Sequence, residues 1–156
     1  FSTLHTNQAA GAIPRLLDLG AEPFLLASSL SLVVGQRIAR RICPNCREEY
    51  QPDKTNLDEL SAVLGKILPK KKEEIKFFRG KGCEQCNNTG YYGRVGIFEV
   101  LSVSEKIVKL ILERAPAGEI EKQAVEEGMI TMLQDGYLRV VEGVSTMEEV
   151  VRVVRD

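Results

Sequence analysis

With a single histidine, no tryptophan and 6% aromatic residues, this chain of 156 residues lacks the material for several kinds of chemistry. His5 is the only imidazole, and no Ser/His/Asp set is built around it. No GxxxxGK[ST] phosphate loop is present, and no apolar run ends in the acidic residues of a Walker B strand. Taken alone, this stretch therefore has no means of hydrolysing a nucleoside triphosphate. The net charge is −1 and stacking aromatics are sparse, which argues against a nucleic-acid surface or an anionic membrane as the main partner. The most apolar stretch, Phe24 to Val34, is broken by Ser28, Ser29 and Ser31. It is about half the roughly 20 residues that a bilayer span needs, so it reads as core. No basic segment followed by an apolar block opens the chain, so no signal peptide is expected. The first residue is Phe1 rather than Met, inside an apparent motif, and the chain reads as the C-terminal piece of a longer protein.

What the sequence does contain is uneven charge and paired cysteines. Residues 1–42 carry four Arg against two acids, and residues 43–94 carry ten Lys/Arg against eight. Residues 95–156 carry seven against twelve, a balance of −5 that suits a solvated helical end. The only four cysteines form two like pairs, Cys43-Pro-Asn-Cys46 and Cys83-Glu-Gln-Cys86, with 36 residues between them. A CxxC turn aims two thiolates at one centre, and two such turns complete a tetrahedral sulfur shell for zinc. Four protein sulfurs leave no position for water, so the expected role is structural. A dithiol redox pair is the competing reading. Against it, neither pair opens a helix after a strand in a βαβ unit.

Hydrophobic periodicity places the elements around these pairs. Phe1 to Leu4 reads as the end of a buried strand, and Thr6 or Asn7 as a helix cap. Ala9, Ile13, Leu16 and Leu17 form one helical face stopped at Gly20. Pro14 implies either a kink or a short turn followed by a fresh helix with the proline in its first turn. Glu22-Pro23 opens a helix to about Leu30, and a strand covers Gln36 to Ile42. Asn56 to Gly65 predicts a short helix with Asp58 and Glu59 in its first turn. Leu68 to Glu74 is a charged, exposed run. Tyr91 to Val103 predicts a second strand. If it pairs antiparallel with Gln36–Ile42, Cys43 comes near Cys83 and Cys86. Beyond it, four short helices are expected to pack as a bundle. Ser104 caps the first, with Ile107, Val108, Ile111 and Leu112 on one face. Ile120, Ala124 and Val125 continue in the second, to Gly128. Thr131 with Gln134 and Ser145 with Glu148 have capping-box spacing for the third and fourth. Glu48/Glu49 and Glu126/Glu127 are neighbours along the chain and read as solvated faces.

His5 is flanked by Thr3, Thr6 and Asn7 at a strand-to-helix transition. A ligand role there and a structural role are equally compatible with the residues. Arg37, Arg40 and Arg41 read as a solvated strand edge or as a nucleotide or subunit contact.

Three stretches together resemble the type II secretion and type IV pilus assembly ATPases. Ser2-Thr-Leu-His-Thr-Asn7 is similar to that family's His box. Gly35-Gln-Arg-Ile-Ala-Arg-Arg-Ile-Cys-Pro-Asn-Cys46 is similar to the strand entering its first cysteine pair. Cys83-Glu-Gln-Cys86 with Thr89-Gly-Tyr-Tyr-Gly-Arg-Val-Gly-Ile-Phe-Glu-Val-Leu101 is similar to its second pair and returning strand. The resemblance implies an α/β fold in three parts. Residues 1–42 would be the trailing part of a RecA-like P-loop NTPase core, 43–94 an inserted tetracysteine zinc subdomain, and 95–156 the returning strand and a C-terminal helical domain. It further implies a cytoplasmic homo-hexamer that uses ATP and magnesium and engages platform proteins at the inner membrane. By position, His5 takes the His-box role near the phosphates, Gln36 and Arg37 a nucleotide contact, and Cys43, Cys46, Cys83 and Cys86 the zinc. Retraction ATPases of the superfamily typically lack the tetracysteine part, so its presence points to assembly or secretion. A stand-alone zinc-ribbon interaction module is the alternative.

Overall fold

The computed structural model describes residues 1–69 and 74–155. The charged run Leu68–Glu74 therefore lies mostly outside the described residues. Contacts divide the chain into two compact units, Phe1–Gln36 with Phe98–Met132 and Arg37–Ile97 with Leu133–Asp156. No helix among the described residues is long and apolar enough to cross a membrane.

In the first unit, no strand forms over Phe1–Leu4, and Phe1 is fully exposed. A strand needs a ladder partner, and none is paired to this segment among the described residues. The chain instead tightens into a 3-10 turn at Ala9–Gly11 and continues as α1 (Ala12–Asp18). Pro14 stands in the first turn of α1, where its missing N–H removes no helical bond. This is the fresh-helix alternative of the two. Pro23 opens α2 (Pro23–Ser29) at its first position.

β1 spans Leu32–Ile42, four residues longer at its start than the sequence suggests. Its partner β4 covers Tyr91–Ser102. Val103 N–H donates to Ser31 O at one end of the pair and Cys43 N–H donates to Gly90 O at the other, so the strands run in opposite directions. Ile97, Glu99 and Leu101 are buried on β4, while Phe98, Val100 and Ser102 are exposed. That is the period of two expected of a half-buried ribbon.

After β4, Ser104 Oγ accepts the Ile107 N–H at 3.3 Å and starts α4 (Glu105–Leu112). Ile107 and Ile111 are buried, but Leu112 lies on the exposed side. α5 (Ala117–Glu126) buries Ile120 and Ala124 and leaves Val125 exposed. The core of the first unit joins Ile13, Leu17, Leu26, Leu101, Ile107, Ile111 and Ile120.

The second unit contains two short strands that the sequence pattern does not reveal. β2 (Arg47–Tyr50) pairs antiparallel with β3 (Phe77–Gly80), with Arg47 opposite Gly80 and Tyr50 opposite Phe77. Glu48 and Glu49 are not merely solvated. Glu48 meets Arg79 at 2.9 Å and Lys81 at 2.8 Å, and Glu49 meets Lys76 at 3.0 Å. Between the strands lies α3 (Lys54–Leu64), which starts two residues earlier than expected because Asp53, not a later residue, caps the Asn56 N–H at 2.7 Å. α6 (Met132–Val141) and α7 (Met147–Arg155) complete the unit. The four C-terminal helices are thus shared out: α4 and α5 stand in the first unit, and α7 and nearly all of α6 in the second.

Candidate metal centre

The cysteines occupy the two corners where the chain passes from one ribbon to the other. Cys43-Pro-Asn-Cys46 fills the turn from β1 to β2, and Cys83 to Cys86 fills the turn from β3 to β4. Pairing of β1 with β4 and of β2 with β3 therefore brings the two turns together. All four sulfurs lie within 4.8 Å of one another. Cys43 Sγ is 3.8 Å from Cys83 Sγ, Cys46 Sγ is 3.9 Å from Cys86 Sγ, and Cys83 Sγ is 3.7 Å from Cys86 Sγ. A tetrahedral ion held by thiolates about 2.3 Å away requires sulfurs about 3.8 Å apart. Three of the six separations meet that requirement and the others lie within 4.8 Å, so the tetrad can hold a metal ion.

Donors around the tetrad favour thiolate at Cys83 and Cys86. Gly82 N–H donates to Cys46 Sγ at 3.3 Å, Cys83 N–H to Cys86 Sγ at 3.2 Å, and Asn45 Nδ2 to Cys83 Sγ at 3.4 Å. The Asn45 bond, aided by neighbouring donors, holds the Cys83 thiol down to about 6. Burial pushes the Cys46 thiol up to about 12, against the Gly82 bond. For Cys86, burial opposes ionisation, but the Cys83 and Gly90 amides win and lower it. A dication at the centre would draw all four to thiolate, since only the deprotonated sulfur is a ligand.

Tight backbone makes this packing possible. A Cβ built on Gly80 would lie 2.1 Å from Gly90 O, so two main chains touch beside the second turn. Asn87 and Asn88 both have positive φ, at 50° and 59°, a region that asparagine tolerates better than most residues.

The remaining candidates lie elsewhere. His5 is exposed, in a segment with neither helix nor strand, and belongs to the first unit. Gln36 is exposed on the first-unit part of β1; Arg37 is half-buried where the strand enters the second unit. Arg40 is no free edge residue: it donates to Glu149 at 2.7 Å, and its guanidinium lies 4.3 Å over the Tyr91 ring.

Two buried carboxylates escape a reading of the sequence by type. Glu99 is 3% exposed and Glu149 1%. The signal for Glu99 was present, since it interrupts the inward apolar phase Ile97–Leu101 of β4. Its carboxylate accepts the N–H groups of Ala9 and Met132.

A family profile described as Type II/IV secretion system protein matches residues 1–152. The Type IV pilus assembly ATPase PilB of Myxococcus xanthus is 39% identical over 150 residues, 96% of this chain and 26% of that protein. The Type II secretion system ATPase E of Vibrio cholerae is 41% identical over 155 residues, 99% of this chain and 29% of that protein. The PilB of Thermus thermophilus is 40% identical over 149 residues, 96% of this chain and 16% of that protein. The chain thus spans less than a third of the length of these relatives. A match of this extent places the chain in the family of type II/IV secretion system proteins.

Proposed function

We propose that the chain is the C-terminal part of a hexameric ATPase that couples ATP hydrolysis to assembly of a type IV pilus or a type II pseudopilus. The observation that carries this reading is identity near 40% across almost the whole chain with relatives that bear the names of pilus assembly and type II secretion ATPases. Since no phosphate loop occurs in these residues, ATP and magnesium would be bound mainly by a part of the longer protein outside them. The first 42 residues would be the trailing portion of its RecA-like core. Residues 43–94 would form the zinc subdomain and residues 95–156 the returning strand and helical domain. Such a motor would work in the cytoplasm against inner-membrane platform proteins.

Within that protein His5 would orient the attacking water or touch the γ-phosphate, and an exposed imidazole is free to do either. Gln36 and Arg37 would border the nucleotide. The tetrad would hold zinc through Cys43, Cys46, Cys83 and Cys86. With no open coordination position, that ion would fix the two strand-to-strand turns and take no part in hydrolysis. Movement between neighbouring subunits would carry the change to the platform. The test is His5→Ala in the longer protein. Turnover should fall while metal content and melting temperature stay unchanged, and normal turnover would remove His5 from the mechanism.

A further inference from the structure

Glu99 stands at an inward position of β4 between the buried Ile97 and Leu101. A carboxylate in such a place costs free energy unless its oxygens are bonded. Both are. Oε1 accepts the Ala9 N–H, and Oε2 accepts the Met132 N–H at 3.1 Å. Ala9 opens the 3-10 turn and Met132 opens α6. Each N–H is one of the orphan donors at the start of a helical segment. One side chain, distant in sequence, thus caps two separate starts. The local alternative is missing at the first of them, where Gln8 occupies the cap position and its side chain makes no capping bond.

The first start bears directly on His5. Only Thr6, Asn7 and Gln8 separate the imidazole's residue from Ala9. Thr6 Oγ1 donates to Gln8 O at 3.1 Å, which folds this short bridge back on itself. Ala9 and Ala10 are each 1% exposed, so the chain passes at once from an exposed residue to an anchored one. Both alanines pack into the core of the first unit, and the bond to Glu99 is the polar anchor at Ala9. Room for the carboxylate comes from the neighbouring strand. A Cβ on Gly35 would lie 2.8 Å from Glu99 Cγ and 3.0 Å from its Oε1.

We infer that Glu99 is the positioning residue for His5: its carboxylate pins the backbone at Ala9 and thereby sets where the imidazole stands. This rests on the role given to His5 above. The function requires a carboxylate, because two backbone donors need two acceptor oxygens. An amide in its place offers one oxygen and turns an N–H against a backbone N–H.

The test is a double-mutant cycle in the longer ATPase with His5→Ala and Glu99→Gln. A misplacement of the order of 1 Å at a reacting group costs up to about 100-fold in rate, so Glu99→Gln is expected to lower kcat by about 10- to 100-fold. KM for ATP should stay unchanged, because nucleotide binding would rest mainly on other residues. In the His5→Ala background the second substitution should add nothing, since both act through one group. Amide exchange at Ala9 should quicken in Glu99→Gln. A purely structural carboxylate would lower the melting temperature and leave kcat per folded molecule intact. The assignment is overturned by full turnover in Glu99→Gln, by unchanged exchange at Ala9, or by a loss that multiplies equally with and without His5. Normal turnover in His5→Ala is a different failure, because it rejects the His5 role itself. Should Glu99→Gln not fold, Gly35→Ala presses a methyl against the same carboxylate while keeping its charge. That variant is read through the same cycle, and additivity with His5→Ala overturns the inference there too.

Discussion

Arg40 is bound to Glu149 twice: its guanidinium donates to Oε2 at 2.7 Å and its backbone N–H to Oε1 at 2.9 Å. The same carboxylate receives Arg152 at 2.7 Å and 2.9 Å. The Glu149 side chain is fully buried, whereas both arginines keep about half their surface in water. β1 is thereby tied to α7 through a charge that has no other outlet.

Burial opposes ionisation of Glu149, but the bonds from Arg152 and Arg40 outweigh it and bring the carboxyl from an ordinary 4.5 down to about 2. A folded value below the unfolded one stabilises the protein above the unfolded value, and the gain is lost as pH falls through the folded one. At about 1.4 kcal/mol per unit, the interaction is worth about 3 kcal/mol at neutral pH. Glu149→Gln should therefore lower unfolding stability by about that amount at pH 7, since one partner of a buried pair is removed. The gap between wild type and variant should hold from pH 7 to about 5, shrink below about 4.5 and close near pH 2. Denaturant titrations of both proteins across this range check it. A gap that does not change with pH would show that shape, not charge, holds α7 in place.

The tetrad leads to an expectation about metal. The native chain should carry about one zinc, measured by elemental analysis after extensive dialysis. Cys43 is fully buried and lies 3.8 Å from Cys83, so Cys43→Ser removes a ligand that no surface residue replaces. That variant should bind zinc far more weakly and melt at a lower temperature, and a chelator should lower the melting temperature of the native chain in the same direction. Full metal content and an unchanged melting temperature in Cys43→Ser would leave the four sulfurs as close neighbours without an ion.

Several elements were legible because their signals are local. The cysteine spacing, the alternation of β4 and the Ser104 cap each need only a few consecutive residues. The α7 cap shows where local reading stops. Ser145-Thr146-Met147-Glu148-Glu149 contains two overlapping capping-box frames, and the sequence reading takes the earlier, Ser145 with Glu148. Tertiary structure chooses the later one. Ser145 Oγ is taken by Arg40 O at 2.9 Å, and Thr146 Oγ1 accepts the Glu149 N–H at 3.3 Å, which turns Glu149 inward onto Arg40. β2 and β3 were hidden for a related reason. Arg47-Glu-Glu-Tyr50 has no apolar alternation; it is a strand through its ladder with Phe77–Gly80, a partner distant in sequence, with Arg47 lying over Phe78 at 3.8 Å. The expected strand at Phe1–Leu4 shows the converse, a segment with no ladder to join among the described residues.

Glycine at positions 80 and 118 separates packing from propensity. At Gly80 an added methyl would stand 2.1 Å from Gly90 O and 2.6 Å from Gly90 Cα, and both obstacles are main chain. Gly90 cannot give way easily, because its φ of +76° and its carbonyl bond to Cys43 N–H both fix it. Gly80→Ala should thus cost about 3 kcal/mol, at the upper end for overpacking. It should also weaken zinc binding, since the turn from β3 to β4 carries Cys83 and Cys86. Gly118 lies in the first turn of α5 with nothing within 4 Å of a built Cβ. Its backbone is already helical, so Gly118→Ala restricts the unfolded chain without strain and should add about 0.5 kcal/mol. Denaturant midpoints of the two variants, with zinc measured on each, give opposite signs if the backbone contact at Gly80 and Gly90 closes the metal turn. Equal, small shifts would mean that the β3–β4 corner can open to admit a methyl, and that the cysteine pair does not depend on that close approach.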